Sequence, residues 1–255
     1  MNNKPGQNWL LLRGLSRESA HWGNFIGVLK TTFPDANITM LDLPGTGCFY
    51  KAVSPATIKA ITDKVRGQAL AQGYLQQPVT FLAVSLGAMV AWEWMRSYPE
   101  DICGASLINT SFADLSPFYH RLRWQSYGKF ALLMSKRKGC SREKAILQLI
   151  SNRRDQDEPI SLAWEKIQHE RPISLKNSFR QIIAAASYCP GDRKPRQPIL
   201  LLNSKGDRLV SPNCSEAIQK KWHLELHSHS WGGHDLTLDD PVWVALQLKN
   251  WALKE

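Results

Sequence analysis

The chain has 255 residues, 43% of them hydrophobic, enough to fill the core of one α/β domain with an insertion and too apolar for a disordered chain. Its net charge of +10 is uneven: residues 112–180 hold 14 Lys/Arg against 7 Asp/Glu, and the remainder 18 against 15. The excess therefore marks one stretch, where an anionic partner is expected, and a nucleic-acid binder is disfavoured because no nucleic-acid-binding module accompanies the charge. No run approaches the roughly 20 apolar residues of a membrane helix, and Trp9 to Leu12 is too short for a signal peptide, so a cytoplasmic location is expected. Five cysteines (48, 103, 140, 189 and 214) form no CxxC pair and no zinc-ligand spacing. No metal, cofactor or disulfide framework is expected.

In chain order, the first apolar run is Trp9–Arg13, followed by a helical period over about 20–32. Ile38–Leu41 comes next and leads into DLPGTG, then a helical pattern over 56–72. Val79–Val84 is apolar throughout; it meets Ser85, and a small-residue helix over 86–97 begins at once. Gly104–Ile108 is the fourth run. From Phe112 to about Ser187 the sequence gives only helix-like pieces such as EKAILQLI and LKNSFRQIIAAAS. Alternation then resumes with Ile199–Asn203, a helix over 213–222, Leu224–His227 and a helix over 241–253. Continuous apolar strands separated by helices predict a mostly parallel sheet with helices on both faces. The expected organisation is a core of residues 1–111 and 188–255 interrupted by a helical cap insertion, 112–187.

Parallel sheets bind ligands at the C-terminal ends of their strands, so the residues just past each run carry the functional signal. Ala83-Val84-Ser85-Leu86-Gly87 fits the strand–serine–helix form G-x-S-x-G, with alanine in the first glycine position. The same placement also suits a serine that caps the helix. A hydroxyl becomes a nucleophile only when a base takes its proton. His234, in the glycine-flanked loop after the last strand, is the expected base; His227 and His229 compete but fall on or beside the strand. The imidazole in turn needs a carboxylate to fix its tautomer. Asp207, past the fifth run, is the expected acid, and Asp114 is the alternative. Asp235 is expected to point elsewhere, and Asp239 and Asp240 to open the last helix before Pro241.

The order Ser85, Asp207, His234, together with DLPGTG, GDRLVSP and GGHDLTLDDP, resembles the α/β-hydrolase superfamily over nearly the whole chain. That resemblance implies an oxyanion hole from the backbone N–H groups of Leu86 and Leu15. Members of the superfamily usually carry His-Gly where this chain has Arg13-Gly14, a change that alters the charge beside the site. Capped members similar to this chain include carboxylesterases, thioesterases and the methyl esterase acting on pimeloyl-acyl carrier protein. An acidic acyl carrier protein is accordingly one possible partner, with Arg121, Arg123, Lys136, Arg137, Lys138, Arg153 and Arg154 as candidate contacts. Phe112, Phe118, Tyr119, Trp124 and Phe130 are candidate pocket residues, and Trp231 is expected to wall the site. The implied reaction is hydrolysis of a carboxylic ester or thioester through an acyl-enzyme on Ser85. The alternatives are a non-catalytic or weakly active binding protein on the same fold, and a cofactor-free haloperoxidase-like enzyme.

Overall fold

A computed structural model describes residues 4–128, 133 and 139–255. Six strands form one parallel sheet: β1 (Asn8–Leu12), β2 (Asn37–Leu41), β3 (Val79–Val84), β4 (Ile102–Ile108), β5 (Ile199–Ser204) and β6 (Glu225–His229), in the order β2-β1-β3-β4-β5-β6. The sheet and its covering helices match the sequence reading. β6 ends two residues later than expected and so takes in both His227 and His229. The expected helix over 20–32 is broken at Gly23, at φ 50°, into a 3₁₀ turn, Ser19–Trp22, and α1 (Phe25–Thr32).

The inner strands β1, β3, β4 and β5 are largely apolar on both faces because both faces are covered, whereas the edge strands β2 and β6 are only partly buried. Leu10 and Leu12 of β1, Phe81 and Ala83 of β3, and Leu201 of β5 enter one cluster; Trp9, Leu11, Leu82, Val84, Leu200 and Leu202 enter the other. This strict alternation fixes the register, since a slip by one residue would exchange the two sets. Each fully buried Leu, Val or Phe contributes roughly 1.5–3 kcal/mol relative to exposure. One face is covered by α2 (Ile58–Ala71), capped by Thr57, and α3 (Leu86–Ser97); the other by α1 and α10 (Pro241–Ala252). Asp240 caps α10 by accepting from Trp243 N, as expected, with Pro241 in the first turn.

Between β4 and β5 lie α4 (Phe118–Arg121), α5 (Cys140–Ile150), α6 (Asp157–Glu170) and α7 (Leu175–Ala186), and among the described residues of this segment there is no strand. Leu147, Leu149, Ile150 and Trp164 make a small apolar cluster separate from the two sheet clusters. The segment rests on loops that follow strands: Gln181 on Ser16, Arg123 on Asp207, and Asn152 on Gly206 and Trp231. It therefore sits over the C-terminal ends of the sheet. The remaining helices, α8 (Asn213–Trp222) and the single turn α9 (Leu236–Asp239), follow β5 and β6. No helix among the described residues is long and apolar enough to cross a membrane.

The chain leaves β1 for β2 at the sheet edge and returns past β1 to β3. Strand order reverses between β1 and β3, which opens a crevice at their C-terminal ends. The residues at that point are Gly14 and Ser85.

Candidate active site

Ser85 joins β3 to α3 at φ 56° and ψ −116°, a left-handed conformation that strains a residue with a Cβ. Its backbone is held on both sides: Ser85 N donates to Ile108 O at 2.8 Å, and Thr110 Oγ1 donates to Ser85 O at 3.0 Å. Although the serine occupies the N-cap position of α3, its side chain makes no capping bond. The helix-cap reading thus fails, and the strain is kept without that compensation. Ser85 Oγ has no hydrogen-bond partner among the described residues, and the residue is only partly buried.

Small neighbours make this turn feasible. A Cβ on Gly87 would lie 2.5 Å from Arg13 O and 2.7 Å from Leu12 O, so α3 starts against the backbone leaving β1. A Cβ on Gly14 would lie 3.1 Å from Ser85 Cβ and 3.7 Å from Ser85 Oγ. The loop after β1 consequently runs beside the hydroxyl. The N–H groups of Leu15 and Leu86 donate no hydrogen bond among the described residues, and Leu86 opens a helix whose first-turn N–H groups and dipole favour negative charge.

Asp207 and His234 meet from separate strand tips. His234 Nδ1 lies 2.7 Å from Asp207 Oδ2, with both side chains buried. The second carboxylate oxygen accepts from Leu209 N at 2.7 Å and Val210 N at 2.9 Å, which fixes the carboxylate plane. With Nδ1 donating to Asp207, Nε2 is the acceptor nitrogen of the neutral ring. Burial disfavours the imidazolium, but the charge and hydrogen bond of Asp207, aided by Asp235, outweigh it and raise the His234 pKa above the ordinary histidine value. Asp114, the alternative acid, lies instead 3.9 Å from Lys221. His227 bonds to Gln247 and Glu225 along β6, and His229 is buried against Trp231 and Trp243.

Three side chains to which the sequence reading gave other roles or none hold these loops together. Arg13 is buried and forms an ion pair with Asp235; it also lies 3.3 Å from Thr237 Oγ1 and 4.7 Å over the Trp22 ring. The added charge expected beside the site is therefore matched by an opposite one. Burial raises the Asp235 pKa, but the Arg13 guanidinium more than reverses this and holds it below the ordinary carboxylate value. Asn109, at φ 48°, donates through Nδ2 to His234 O at 2.9 Å while Ser204 N donates to its Oδ1 at 2.9 Å. Asp239 accepts from Gly233 N, Asn152 N and Ser151 Oγ, so it ties the histidine loop to the helical segment rather than opening α10. Asn109 had a local signal, a short polar residue immediately past a strand end, and Arg13 stood out only as a departure at the first strand tip.

The other expected contacts are distributed differently. Phe112 is completely buried among Trp92, Tyr188 and Trp222 and belongs to the sheet core, not to a pocket. Phe118, Tyr119 and Trp124 are exposed, and Trp231 is exposed beside the His229 ring. Arg121 donates to Ala185 O and Ala186 O, and Arg123 to Asp207 O at 2.7 Å. Arg153 pairs with Asp155 and Arg154 with Asp157. These four guanidinium groups are thus engaged within the chain. Arg137, Phe130, Lys136 and Lys138 lie outside the described residues. A cleft lined by Asn8, Asn37, Tyr74 and Gln77 lies toward the opposite ends of the strands and contains no histidine, cysteine or carboxylate.

Residues 9–247 match the model of the alpha/beta hydrolase family. Among solved structures, the chain is similar to an esterase from Rhodococcus sp., at 16% identity and TM-score 0.77 over 97% of this chain and 90% of that one. A thermophilic esterase from Thermogutta terrifontis aligns at 17% identity and TM-score 0.72, covering 99% and 91%. A candidate non-heme bromoperoxidase from Mycobacterium tuberculosis aligns at 17% identity and TM-score 0.71, covering 99% and 94%. At these identities the structural likeness speaks for the fold alone. No curated protein sequence matches the chain. Family match, sheet order and strand-tip geometry agree: this chain belongs to the alpha/beta hydrolase family.

Proposed function

We propose that the protein is a serine hydrolase that cleaves a carboxylic ester or thioester of a small molecule. Ser85 attacks the acyl carbon as His234 Nε2 takes its proton, and Asp207 holds the ring and stabilises the imidazolium. The tetrahedral oxyanion is received by Leu15 N–H and Leu86 N–H. His234 then returns the proton to the leaving group, and the acyl-enzyme is released by water that His234 activates. The helical segment 112–187 acts as a cap on the crevice.

The observation that carries this reading is the buried 2.7 Å His234–Asp207 contact, formed at the same end of the sheet as a serine held at φ 56°. Neither a binding protein nor a helix cap requires both. Among the described residues nothing in the geometry favours a carrier protein over a free ester, since Arg121, Arg123, Arg153 and Arg154 are engaged internally.

Intact-protein mass after exposure to a small fluorophosphonate tests the proposal. One adduct is expected on the wild type, none on Ser85→Ala, and slowed labelling on His234→Ala. A wild type that remains unlabelled by this and by a smaller serine reagent would sink the hydrolase reading. Hydrolysis of p-nitrophenyl esters lost in Ser85→Ala, without bromide-dependent oxidation in the presence of peroxide, would separate it from a haloperoxidase.

A further inference from the structure

His229 precedes the proposed base by five residues and takes no part in its chemistry. It ends β6 and is 5% exposed, with its ring edge to face against two indoles, at centroid distances of 5.1 Å from Trp231 and 4.9 Å from Trp243. Both ring nitrogens are engaged. Gly232 N donates to Nδ1 at 2.9 Å, and Nε2 lies 3.2 Å from Asp240 Oδ2. A nitrogen that accepts a main-chain N–H carries its lone pair, so the proton of the neutral ring sits on Nε2 and is donated to Asp240. His234 has the opposite arrangement, with Nδ1 facing the Asp207 carboxylate. His229 therefore has no free lone pair to offer a serine, and its competition with His234 for the role of base ends there.

Its contact with the loop gives it another role. Gly232 and Gly233 directly precede His234, and glycine restrains its own backbone less than any other residue. The loop is held from outside instead: Gly232 N by His229, Gly233 N by Asp239, Asp235 N by Ile150 O at 2.8 Å, and His234 O by Asn109. Among the acceptors, His229 is the one that a change of tautomer turns into a donor. The contact is close, since a Cβ on Gly232 would lie 2.8 Å from His229 Nδ1. Gly232 is also buried, so without the imidazole its N–H would be left unpaired away from water.

On the serine hydrolase reading of Ser85 and His234, we infer that His229 is a positioning residue for the base. Its Nδ1, kept free of a proton by Asp240, fixes the main chain at Gly232 and through it the reach of His234 Nε2 toward Ser85. It touches no reacting atom. A displacement of about 1 Å at a reacting group costs on the order of a hundredfold in rate, so loss of this bond acts on kcat and leaves KM nearly unchanged.

The test separates the two ring nitrogens. In His229→Asn the amide oxygen takes the place of Nδ1; in His229→Gln the longer side chain reaches Asp240 and leaves the Gly232 N–H unpaired. Fluorophosphonate labelling and turnover of a p-nitrophenyl ester are measured for each, beside a melting curve. His229→Asn should stay within about threefold of the wild type, and His229→Gln should lose about tenfold to a hundredfold in labelling rate and kcat. Asp240→Asn keeps the ring in place. Its amide oxygen still caps Trp243 N, so its NH2 faces Nε2 and moves the ring proton to Nδ1, against the Gly232 N–H. This variant should be as slow as His229→Gln, and it decides alone if the variants at position 229 do not fold. Ring-nitrogen NMR should place the proton on Nε2 in the wild type and on Nδ1 in Asp240→Asn. Equal rates in His229→Asn and His229→Gln, rates that merely follow the melting temperatures, a fast Asp240→Asn, or a wild-type ring protonated on Nδ1 would overturn the inference while the hydrolase reading stands. A wild type that the reagent does not label would overturn both.

Discussion

Helices α3 and α7 are both twelve residues long, one starting at Ser85 and the other resting on the loop after β1, yet they are held in opposite ways. Ten consecutive residues of α3 are buried, Leu86 through Met95, against a sheet that leaves no room for a side chain at Gly87. α7 buries three residues and stays in place by side-chain bonds to loop backbone, which water competes for. One helix is fixed by the hydrophobic effect and fixes Ser85 in turn. The other is docked by polar contacts and leaves its apolar stripe, Leu175, Phe179 and Ile183, outside. Stability should therefore reside on the α3 side of the crevice, and adjustable behaviour on the α7 side.

Substitutions on the two sides of the crevice should differ accordingly. The largest effect concerns the Asp207–His234 pair, which lies on neither helix. Asp207→Asn should lower kcat by about 10⁴-fold, because the amide favours the wrong tautomer of His234. The pH profile carries the same information. His234 must be neutral to act as base, and its pKa lies above the ordinary imidazole value, so activity should fall as pH drops through a point above about 6.5. Asp207→Asn should move that acid limb of kcat/KM downward.

On the α3 side, Trp92→Ala removes a fully buried ring whose centroid lies 4.6 Å from that of Trp222 and 5.0 Å from that of Phe112. Denaturant titration should show a loss of about 3–5 kcal/mol. A similar loss from any exposed α7 position would refute the contrast. Arg13→Ala should cost a comparable amount, about 3–5 kcal/mol, because it strands the Asp235 carboxylate in a buried position. The double variant Arg13→Met, Asp235→Leu should recover most of that stability. If the ion pair positions the loops that it joins, the double variant will remain slow with fluorophosphonate even though its stability returns.

The smallest stability effects are expected on α7. Gln181→Leu removes the acceptor of Ser16 N, next to the Leu15 N–H, at a cost of about 1–3 kcal/mol. Its labelling rate should fall more than its stability predicts. Phe179→Ser should leave stability within about 0.5 kcal/mol of wild type, as an exposed substitution does.

The sheet was legible because its inner strands are short apolar runs bounded by turn residues, and depth in the core leaves that imprint directly; the edge strand β6, Glu-Leu-His-Ser-His, carries less of it, and its end was misplaced by two residues. Ser85, Asp207 and His234 stood out because parallel topology sends every strand tip to one end, so residues far apart in sequence become neighbours by rule. Contacts set by side-chain reach were not legible. Arg13 finds Asp235 across 222 positions, and Arg123 finds the Asp207 carbonyl across 84. A guanidinium on a long stem meets carboxylates or carbonyls equally well, and its sequence surroundings do not say which. Periodicity likewise located α7 without revealing which side faces inward, since the rule that apolar residues are buried assigns it the wrong face. Phe112 failed for the converse reason: aromatic residues near a site are more often core than lining, and this one is core.

Gly87 has a consequence for how such a protein could change. Its Cα side is pressed against the Leu12 and Arg13 carbonyls, and the same stretch of backbone continues into the loop beside the serine hydroxyl. Any side chain introduced there must push that backbone aside. With carbonyl oxygens 2.5 and 2.7 Å from the new Cβ, the main chain itself would have to move, which costs stability and also displaces a loop proposed to meet a developing charge at hydrogen-bond distance. On the proposed chemistry, fold and reactivity share one coordinate at this position, and a sequence exploring new substrates has to leave it untouched and vary the far wall of the crevice.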